Sequence, residues 1–382
     1  MTEHKNGPLS GLLVVDFTMF VSGPSCTQLL RDNGARVIKV ETPAGDPTRM
    51  AGMFVDKEFS KDFSAFNGGK ESITANLKNT ADLEFVRNII RKADILVENY
   101  RPGVAEKLGI GYDAVQLLNP RLVYASISGF GQNGPISQAP AYDTIVQADS
   151  GFMSVTGFPG GRSTRAGTSI ADIEAGVYSF ASIMLALYNR ERSGAGCHID
   201  TAMLDCMLTL LPEPIGEYFI TKQTPIKHGN DNPSIQPFGT FMCQDTEIAL
   251  CVASPKLYQE LLTVIGKLEW LERPEFKFPG ELNKNKDQFR QEFEALLGEY
   301  SADFWVEKMH TAGIPCSKVN SIADMTNYEQ VWFRKMLIPS GNGTFVGNPV
   351  KLSGYPVLEQ RPRPPYLGEH NANIAAEFGG NK

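Results

Sequence analysis

The sequence predicts an α/β protein in which helices cover both faces of a parallel sheet. In the first third of the chain, apolar runs of strand length alternate with helical patterns, and this alternation is typical of parallel sheets. The chain of 382 residues is long enough for two domains. Its composition shifts toward Pro, Asn and Gly over residues 212–237, and a mixed pattern follows. We therefore expect a larger sheet domain and a smaller mixed α+β domain.

Each predicted element rests on a local pattern. The apolar run over residues 11–18 predicts a strand, and Pro24 opens the next helix because proline suits the first helical turn. The segment 175–188 is apolar on nearly every side, which predicts a helix buried in the core or in a subunit interface. Further strands are predicted over 36–41, 94–99 and 122–128, a helix after Thr80, a hairpin over 240–243 and 247–253, and helices over 255–266, 287–300 and 302–312.

Composition argues against several classes of function. The formal net charge of −7 disfavours a nucleic-acid surface, which needs clustered Lys and Arg. No apolar stretch reaches the ~20 residues of a membrane span, and the N-terminal segment lacks the apolar core of a signal peptide, so we expect a cytoplasmic protein without a membrane partner. Six cysteines and five histidines are scattered without metal-binding spacing, so we expect free thiols and no metal site.

One segment fits the residue pattern of a nucleotide-binding motif but is not followed by the helix that such a motif requires. Residues 129–134 fit G-x-G-x-x-G after a predicted strand, as a dinucleotide-binding loop does. Such a loop must open directly into a helix that holds the pyrophosphate, whereas Pro135 and Pro140 interrupt any helix here. The glycines therefore predict a flexible loop where the backbone approaches a ligand.

Asp172 permits two interpretations. Ser169 and Asp172 have the spacing of a capping box, which would make the aspartate a structural residue. At the positive end of a helix the same carboxylate would stay ionised and could attack a carbonyl carbon. Gly176, one turn further on, would leave space beside it. The two interpretations are compatible.

Other polar residues are ambiguous in the same way. Tyr142 and Asp143 precede an apolar stretch, either as a buried tyrosine with a turn aspartate or as a polar pair in a site. Arg101 follows a predicted strand, where a doubly wound sheet places its ligand contacts. Three lysines suit phosphate groups but are as readily explained as solvated side chains: Lys39, Lys70 and Lys107.

Taken together, motifs along essentially the whole chain resemble those of the class III CoA-transferases. They lie at residues 9–18, 23–24, 34–41, 94–103, 118–131, 193–200 and 367–370. The resemblance implies a Rossmann-like large domain over 1–215, a small mixed domain over 216–330, and a C-terminal return over 331–382 that completes the large domain. It also implies an interlocked, ring-like homodimer with acyl-CoA and small carboxylates as substrates, and no cofactor beyond coenzyme A.

The resemblance further implies covalent catalysis. Asp172 would attack the thioester to form a mixed anhydride and then an aspartyl-CoA thioester, which the acceptor carboxylate attacks in turn. Residues 140–148, 165–172 and 228–230 are similar to family members that use acetyl-CoA and oxalate. The residues that the resemblance places at the CoA or acyl site are Val21, Ser22, Gly23, Asn99, Tyr100, Lys107, Tyr142 and Asp143.

The chain departs from the formyl-CoA:oxalate members of the family. Met19 and Val21 stand where those members have His and Gln, and no run of glycines is present to form their active-site lid. These differences argue against formyl-CoA as the preferred donor. The candidate for an equivalent lid is the segment 228–233, which begins with His228, Gly229 and Asn230.

Three alternatives stay open at this point. The donor and acceptor could be another pair, such as formyl-CoA or succinyl-CoA with oxalate. An α-methylacyl-CoA racemase shares the fold, but its histidine would fall at Tyr142, so its two-base proton transfer lacks an imidazole. A non-catalytic CoA-binding protein would use Asp172 only as a cap, and it would bind CoA without exchanging label between acyl-CoA and free acid.

Overall fold

The computed structural model describes residues 7–55, 57 and 59–379, and the contacts divide the chain into two compact units. The described parts of Met1–Met153, Arg165–Lys222 and Glu329–Lys382 form the large unit, and Ser154–Thr164 with Gln223–Tyr328 forms the small unit. The segment Ser154–Thr164 lies in the small unit, although the large domain expected from the sequence includes it.

A six-stranded parallel sheet forms the centre of the large unit, which confirms the predicted α/β class. The strand order β3-β2-β1-β4-β5-β6 reverses direction between β1 and β4. At such a reversal, a crevice opens beyond the carboxyl ends of the strands, where ligands of α/β proteins bind. The strands are β1 (Leu13–Asp16), β2 (Arg36–Glu41), β3 (Glu71–Thr74), β4 (Ile95–Glu98), β5 (Val123–Ser128) and β6 (Cys197–Ala202).

The helices follow the strands in the large unit and dominate the small one. In chain order they are α1 (Ser22–Asp32), α2 (Lys61–Asn67), α3 (Thr80–Ile90), α4 (Val104–Lys107), α5 (Tyr112–Leu118), α6 (Asp143–Asp149), α7 (Phe152–Val155), α8 (Ile170–Ser193), α9 (Met203–Leu208), α10 (Pro212–Thr221), α11 (Pro255–Val264), α12 (Gly280–Lys284), α13 (Lys286–Leu297), α14 (Ala302–Thr311), α15 (Ile322–Thr326), α16 (Glu329–Phe333) and α17 (Asn371–Phe378). Short 3-10 helices lie at Pro47–Met50, Leu268–Glu272 and Pro274–Phe276.

Helices α1 and α8 pack against each other at Gly176. A Cβ atom on Gly176 would lie 2.0 Å from Ser25 Oγ and 2.8 Å from the Ser22 carbonyl oxygen. No side chain fits there, so the glycine permits the close approach of the two helices. The space that the sequence suggested beside Gly176 is therefore filled by the first turn of α1.

Helix α8 buries one face within the chain rather than its whole circumference. Its inward residues include Ala171, Ala175 and Ile183, whereas Leu185 and Tyr188 are exposed. By length and composition α8 would suffice to cross a membrane. One such helix is weak evidence, because core helices of soluble proteins meet the same criteria.

The small unit contains a three-stranded antiparallel sheet of order β7-β8-β9. The predicted hairpin is confirmed, and the helices α11, α13 and α14 lie where their periodicity predicts them. Phe241, Phe289 and Phe293 are buried in its core, with ring centroids 5.1 to 5.3 Å apart along the series. Its strands are β7 (Phe238–Met242), β8 (Glu247–Cys251) and β9 (Cys316–Lys318).

The C-terminal segment completes the large unit at the outer edge of β3. It begins with a hairpin of β10 (Leu337–Ser340) and β11 (Gly343–Val346). Further on, the His370 backbone N–H donates to the Ser72 carbonyl oxygen at 2.9 Å, and the Ser72 N–H donates to His370 Nδ1 at 3.1 Å. These contacts occupy backbone groups of the edge strand β3 that would otherwise be available to pair with another chain.

A buried carboxylate determines how the chain leaves β1. Asp16 is fully buried and accepts hydrogen bonds from the Thr18 N–H at 2.8 Å, Thr27 Oγ1 at 2.7 Å and Lys70 Nζ at 3.0 Å. Burial raises the pKa of Asp16, but the charges of Lys70 and Lys39 and these hydrogen bonds outweigh it and hold the pKa well below its usual range. The carboxylate is therefore ionised and fully partnered.

We expect Lys70→Met to destabilise the protein by about 3–5 kcal/mol, because it leaves the Asp16 charge buried without a cation. Urea unfolding at neutral pH measures the loss. Lys61→Met is the matched control, since Lys61 pairs with Asp62 on the surface and its loss should change the unfolding free energy by less than about 1 kcal/mol. Equal stability of the two variants would contradict the role given to Lys70.

Candidate active site

The candidate site is a cavity of about 230 Å³ in the large unit. It lies beyond the carboxyl ends of β1, β4 and β5, next to the reversal of strand order. Six of the residues expected at the site line it: Ser22, Asn99, Tyr100, Arg101, Tyr142 and Asp172. The structure therefore brings together residues that the sequence separates by up to 150 positions.

Asn99 fixes the loop that forms one wall of the cavity. Its Oδ1 accepts from the Met19 N–H at 2.9 Å, and its Nδ2 donates to the Met19 carbonyl oxygen at 2.7 Å and to Ser22 Oγ at 3.2 Å. The side-chain amide thus pairs with both backbone groups of Met19. Asn99 therefore has a structural role in addition to its predicted role as a ligand contact, because its side chain joins the end of β4 to the start of α1.

Asp172 is in the first turn of α8, but the capping box expected from the sequence is wrong. Ser169 precedes the helix and makes no side-chain capping bond. The N–H of Ala171 instead donates to Asp143 Oδ1 at 2.9 Å. Asp143, at the start of α6, therefore caps α8, and the Asp172 carboxyl group is not used for this purpose.

The environment of Asp172 disfavours its charged form. Burial raises the pKa of Asp172 to about 7, and the nearby Asp143 carboxylate adds to the effect. A hydrogen bond from Ser22 acts in the opposite direction and is smaller. The expectation that the helix end keeps this carboxylate ionised is therefore wrong at neutral pH, where protonated and ionised forms coexist.

Asp143 is held by a short polar chain that ends in the loop before α8. Gln147 Nε2 donates to Asp143 Oδ2 at 2.7 Å, and Gln147 Oε1 accepts from the Ala166 N–H at 2.8 Å. Arg165 Nη1 lies 3.9 Å from Asp143 Oδ2. Asp143 itself is buried beside the cavity, and its neighbour Tyr142 lines the cavity.

Two of the expected phosphate contacts are inside the protein. Lys39 is fully buried, with Nζ 2.7 Å from the Thr18 carbonyl oxygen and 3.0 Å from Asp46 Oδ2. Lys70 is also buried and pairs with Asp16. Neither ammonium group is accessible to a ligand, so the assignment of these lysines to ligand binding is corrected to one of support for the loop after β1.

Three other expected contacts lie outside the set that lines the cavity. Val21 precedes α1, Gly23 faces Thr18, and Lys107 is exposed at the end of α4. A Cβ atom on Gly23 would lie 2.3 Å from the Thr18 side chain, so this glycine is required by packing.

His228, Gly229 and Asn230 belong to the small unit. The Gly229 N–H donates to the Gly157 carbonyl oxygen at 3.0 Å, and Asn230 Nδ2 donates to Thr240 Oγ1 at 2.9 Å. Gly229 has a φ of 65°, which favours glycine. The role of this segment as a lid stays a prediction.

Sequence reasoning missed Glu98 at the end of β4. It is buried, accepts from the Tyr100 N–H at 2.8 Å and hydrogen bonds to Ser126. Burial raises the pKa of Glu98 to about 7, with smaller contributions from Glu106 and Asp200. Its position just before Asn99 is the one signal in the sequence that it supports the cavity wall.

The structure also bears on the dinucleotide motif and on metals. Residues 129–142 contain no helix, which confirms that the glycine motif does not form a dinucleotide-binding turn, and Gly129 lines the cavity. Among the residues that the structure describes, no group of three or more His, Cys, Asp and Glu side chains is arranged to hold a metal ion.

Comparison with known proteins gives consistent matches along the chain. Residues 9–371 match the family model described as CoA-transferase family III. The chain is 44% identical to an acetyl-CoA:oxalate CoA-transferase of Acetobacter aceti, covering 97% of this chain and 96% of that one. It is 36% identical to a succinate–glutarate CoA-transferase of Agrobacterium fabrum, covering 99% and 98%. The crystal structure of a CAIB/BAIF family protein from Brucella suis has a TM-score of 0.90 at 33% identity, covering 98% and 100%.

The raised pKa of Asp172 predicts a pH-dependent cost to stability. Its pKa is 3.8 in a model peptide and about 7 in the folded protein, so between these values the folded state binds more protons than the unfolded state. Stability therefore falls as pH rises through this window. We expect Asp172→Asn to stabilise the protein more at pH 8 than at pH 5, by on the order of 2 kcal/mol.

Urea unfolding at the two pH values measures this difference. Asp149→Asn controls for the loss of one negative charge, since Asp149 is exposed at the end of α6. A stability difference for Asp172→Asn that is the same at both pH values would contradict the raised pKa.

Proposed function

Because the chain belongs to the class III CoA-transferase family, we propose that it transfers coenzyme A from acetyl-CoA to oxalate through a covalent intermediate on Asp172. The observation that carries the proposal is the Asp172 carboxyl group, which lines the cavity and is not used to cap its own helix. A carboxylate in such a position is available as a nucleophile.

The choice of substrates rests on similarity and on size. The relative from Acetobacter aceti is named for acetyl-CoA and oxalate, whereas the Agrobacterium fabrum relative is named for succinate and glutarate. The cavity of about 230 Å³ suits a short acyl head with a small acid. Arg101 lines the cavity and supplies a cation for an anionic acceptor or for a CoA phosphate.

The proposed reaction begins with attack of an Asp172 carboxylate oxygen on the thioester carbon of acetyl-CoA. The C–S bond breaks, CoA leaves as the thiolate, and an acetyl–aspartyl anhydride forms. The thiolate then attacks the aspartyl carbonyl carbon and releases acetate, which leaves an aspartyl-CoA thioester. Dividing the exchange into such steps avoids one difficult displacement.

The acceptor half repeats these steps in reverse order. An oxalate oxygen attacks the aspartyl-CoA carbonyl carbon, the thiolate leaves, and an aspartyl–oxalyl anhydride forms. The thiolate attacks the oxalyl carbonyl carbon, which yields oxalyl-CoA and restores the Asp172 carboxylate. One oxygen of oxalate stays on Asp172 after this cycle.

The racemase alternative lacks one of the two bases that its proton transfer needs. Tyr142 lines the cavity at the position where that mechanism needs an imidazole, and the described residues that line the cavity include no histidine. A phenol group does not replace an imidazole as a base at neutral pH.

The homodimer is part of the proposal as well. Apolar side chains on α8 and α10 are exposed in the single chain, and a clustered exposed apolar surface is typical of an interface. They include Val177, Leu185, Tyr188, Ile215, Phe219 and Ile220. The cytoplasmic location and the absence of a cofactor other than coenzyme A stay predictions.

The transfer of CoA from acetyl-CoA to oxalate, followed as oxalyl-CoA, tests the proposal. We expect Asp172→Ala to lower the rate at least about 1,000-fold, because it removes the nucleophile. Glu174→Ala is the matched control, since Glu174 is a carboxylate of the same helical turn that does not line the cavity. Wild-type activity toward another acid alone would refute the substrate pair, and transfer by Asp172→Ala would refute the nucleophile.

Oxygen labelling tests the covalent route separately. In a single turnover with ¹⁸O-labelled oxalate, we expect one label in the peptide that contains Asp172 and none in the released acetate. Direct attack of oxalate on acetyl-CoA would instead place the label in acetate and none in the enzyme. Mass spectrometry of the peptide and of acetate distinguishes the two routes.

We expect kcat/KM for this transfer to rise with pH and to level off above an apparent pKa of about 7, because Asp172 must be ionised to attack. Glu98 has a raised pKa in the same range, so Glu98→Gln is the necessary control. The acidic limb should persist in Glu98→Gln, and its loss there would assign the titration to Glu98 instead.

A further inference from the structure

Phe20 has an unusual backbone conformation at the wall of the cavity. Its φ is 63°, in the left-handed region that glycine adopts easily and bulky residues adopt with strain. Among the described non-glycine residues, Lys222 and Lys335 share a positive φ. Of these three residues, Phe20 is the one that lines the cavity.

The two residues before Phe20 are restrained by several hydrogen bonds. Asn99 pairs with both backbone groups of Met19, and Lys39 Nζ donates to the Thr18 carbonyl oxygen at 2.7 Å. The Thr18 N–H is bound by Asp16. Strain that is maintained by so many contacts at a cavity indicates that the side chain has a function there.

The Phe20 ring meets Tyr142 across the cavity. The two ring centroids are 5.7 Å apart and their planes are 84° apart, an edge-to-face arrangement that aromatic pairs prefer. Both rings line the cavity. Tyr142 is 65% exposed, so the pair lies where the cavity meets solvent.

The aromatic pair and the Asp172 carboxyl group line the same cavity, and contacts of neighbouring residues connect them. Ser22, two residues after Phe20, hydrogen bonds to Asp172. Asp143, next to Tyr142, accepts from the N–H of Ala171, next to Asp172. An acyl group bonded to Asp172 would therefore lie beside the two rings.

We propose that Phe20 and Tyr142 form an aromatic gate that limits the acyl group to a few carbon atoms. This inference rests on the proposed transferase function and names its substrate class as short-chain acyl-CoA. The cavity of about 230 Å³ is smaller than the roughly 300–1,000 Å³ of typical small-molecule sites. A longer acyl chain would have to displace the Phe20 ring, which packs on Tyr142 and whose backbone follows the restrained residues Thr18 and Met19.

The test compares acetyl-, butyryl- and hexanoyl-CoA as donors to oxalate in wild type and Phe20→Gly. Glycine removes the ring and adopts the positive φ without strain, so this variant should fold. One methylene in a closely fitting pocket changes kcat/KM by about 10–200-fold. We expect the hexanoyl-to-acetyl ratio of kcat/KM to be at least about tenfold higher in Phe20→Gly than in wild type.

Phe20→Ala distinguishes the effect of losing the ring from the effect of relieving the backbone strain. It lacks the ring but retains the strained φ, so it should be less stable than Phe20→Gly and yet show the same change in ratio. At the other ring, Tyr142→Ala should also raise the hexanoyl-to-acetyl ratio, whereas Tyr142→Phe should keep the wild-type ratio. If the hexanoyl-to-acetyl ratio correlates with the stability of the variants and not with the presence of the two rings, the gate is overturned.

Binding distinguishes a failure of the gate from a failure of the proposed function. Calorimetric titration of the three acyl-CoAs into Asp172→Asn, with and without Phe20→Gly, reports chain-length selection without chemistry. If wild type transfers no CoA but binding weakens with chain length and Phe20→Gly removes this trend, the gate stands and the transferase proposal fails. If transfer occurs and Phe20→Gly leaves the ratio unchanged, or if neither transfer nor binding depends on chain length, the gate is refuted.

Discussion

The buried carboxylate of Asp16 is the contact on which the geometry of the large unit depends. A buried charge is tolerated only when it is fully paired, and Asp16 obtains its partners from three parts of the chain: Thr18, Thr27 in α1, and Lys70 before β3. Satisfying this one side chain therefore ties the end of β1 to α1 and to the start of β3, which is two strands away in the sheet. The loop after β1 has little freedom left, and this loop forms a wall of the cavity.

A small number of contacts connect this loop to the Asp172 carboxyl group. Asn99, at the end of β4, holds Met19 and Ser22, and Ser22 hydrogen bonds to Asp172. Gly176 lets α8 approach α1 closely at the same level. The position of Asp172 is thus determined by α1 and β4 as much as by its own helix.

The sequence predicts the interior of this fold better than its edges or its electrostatics. The interior strands β2 and β5 are predicted closely, whereas the edge strands β3 and β6 are not predicted, because a strand covered on one side needs fewer apolar residues. Local spacing also misassigned the cap of α8, since the true cap, Asp143, is 28 residues away from Ala171.

The candidate site was likewise predicted only in part from the sequence. Motifs that resemble a family located Asp172, Asn99 and Tyr142. The burial of Lys39 and the φ of Phe20 could not be predicted, because both result from contacts between segments that are distant in the sequence. The pKa of Asp172 was predicted in the wrong direction for a related reason. A helix end favours an ionised carboxylate, but burial and the Asp143 charge depend on the tertiary structure and dominate here.

The raised pKa of Asp172 has a further meaning within the proposed mechanism. Burial and the Asp143 charge destabilise the ionised carboxylate, but both the anhydride and the aspartyl-CoA thioester carry no charge on this side chain. The same surroundings therefore favour the covalent intermediates relative to the free carboxylate, so less of the thioester's energy is lost when CoA is held by the enzyme. Asp143 contributes in two ways: it caps the helix that carries Asp172, and its charge raises the energy of the Asp172 carboxylate. Arg165 Nη1, 3.9 Å from Asp143 Oδ2, is close enough to moderate that second effect.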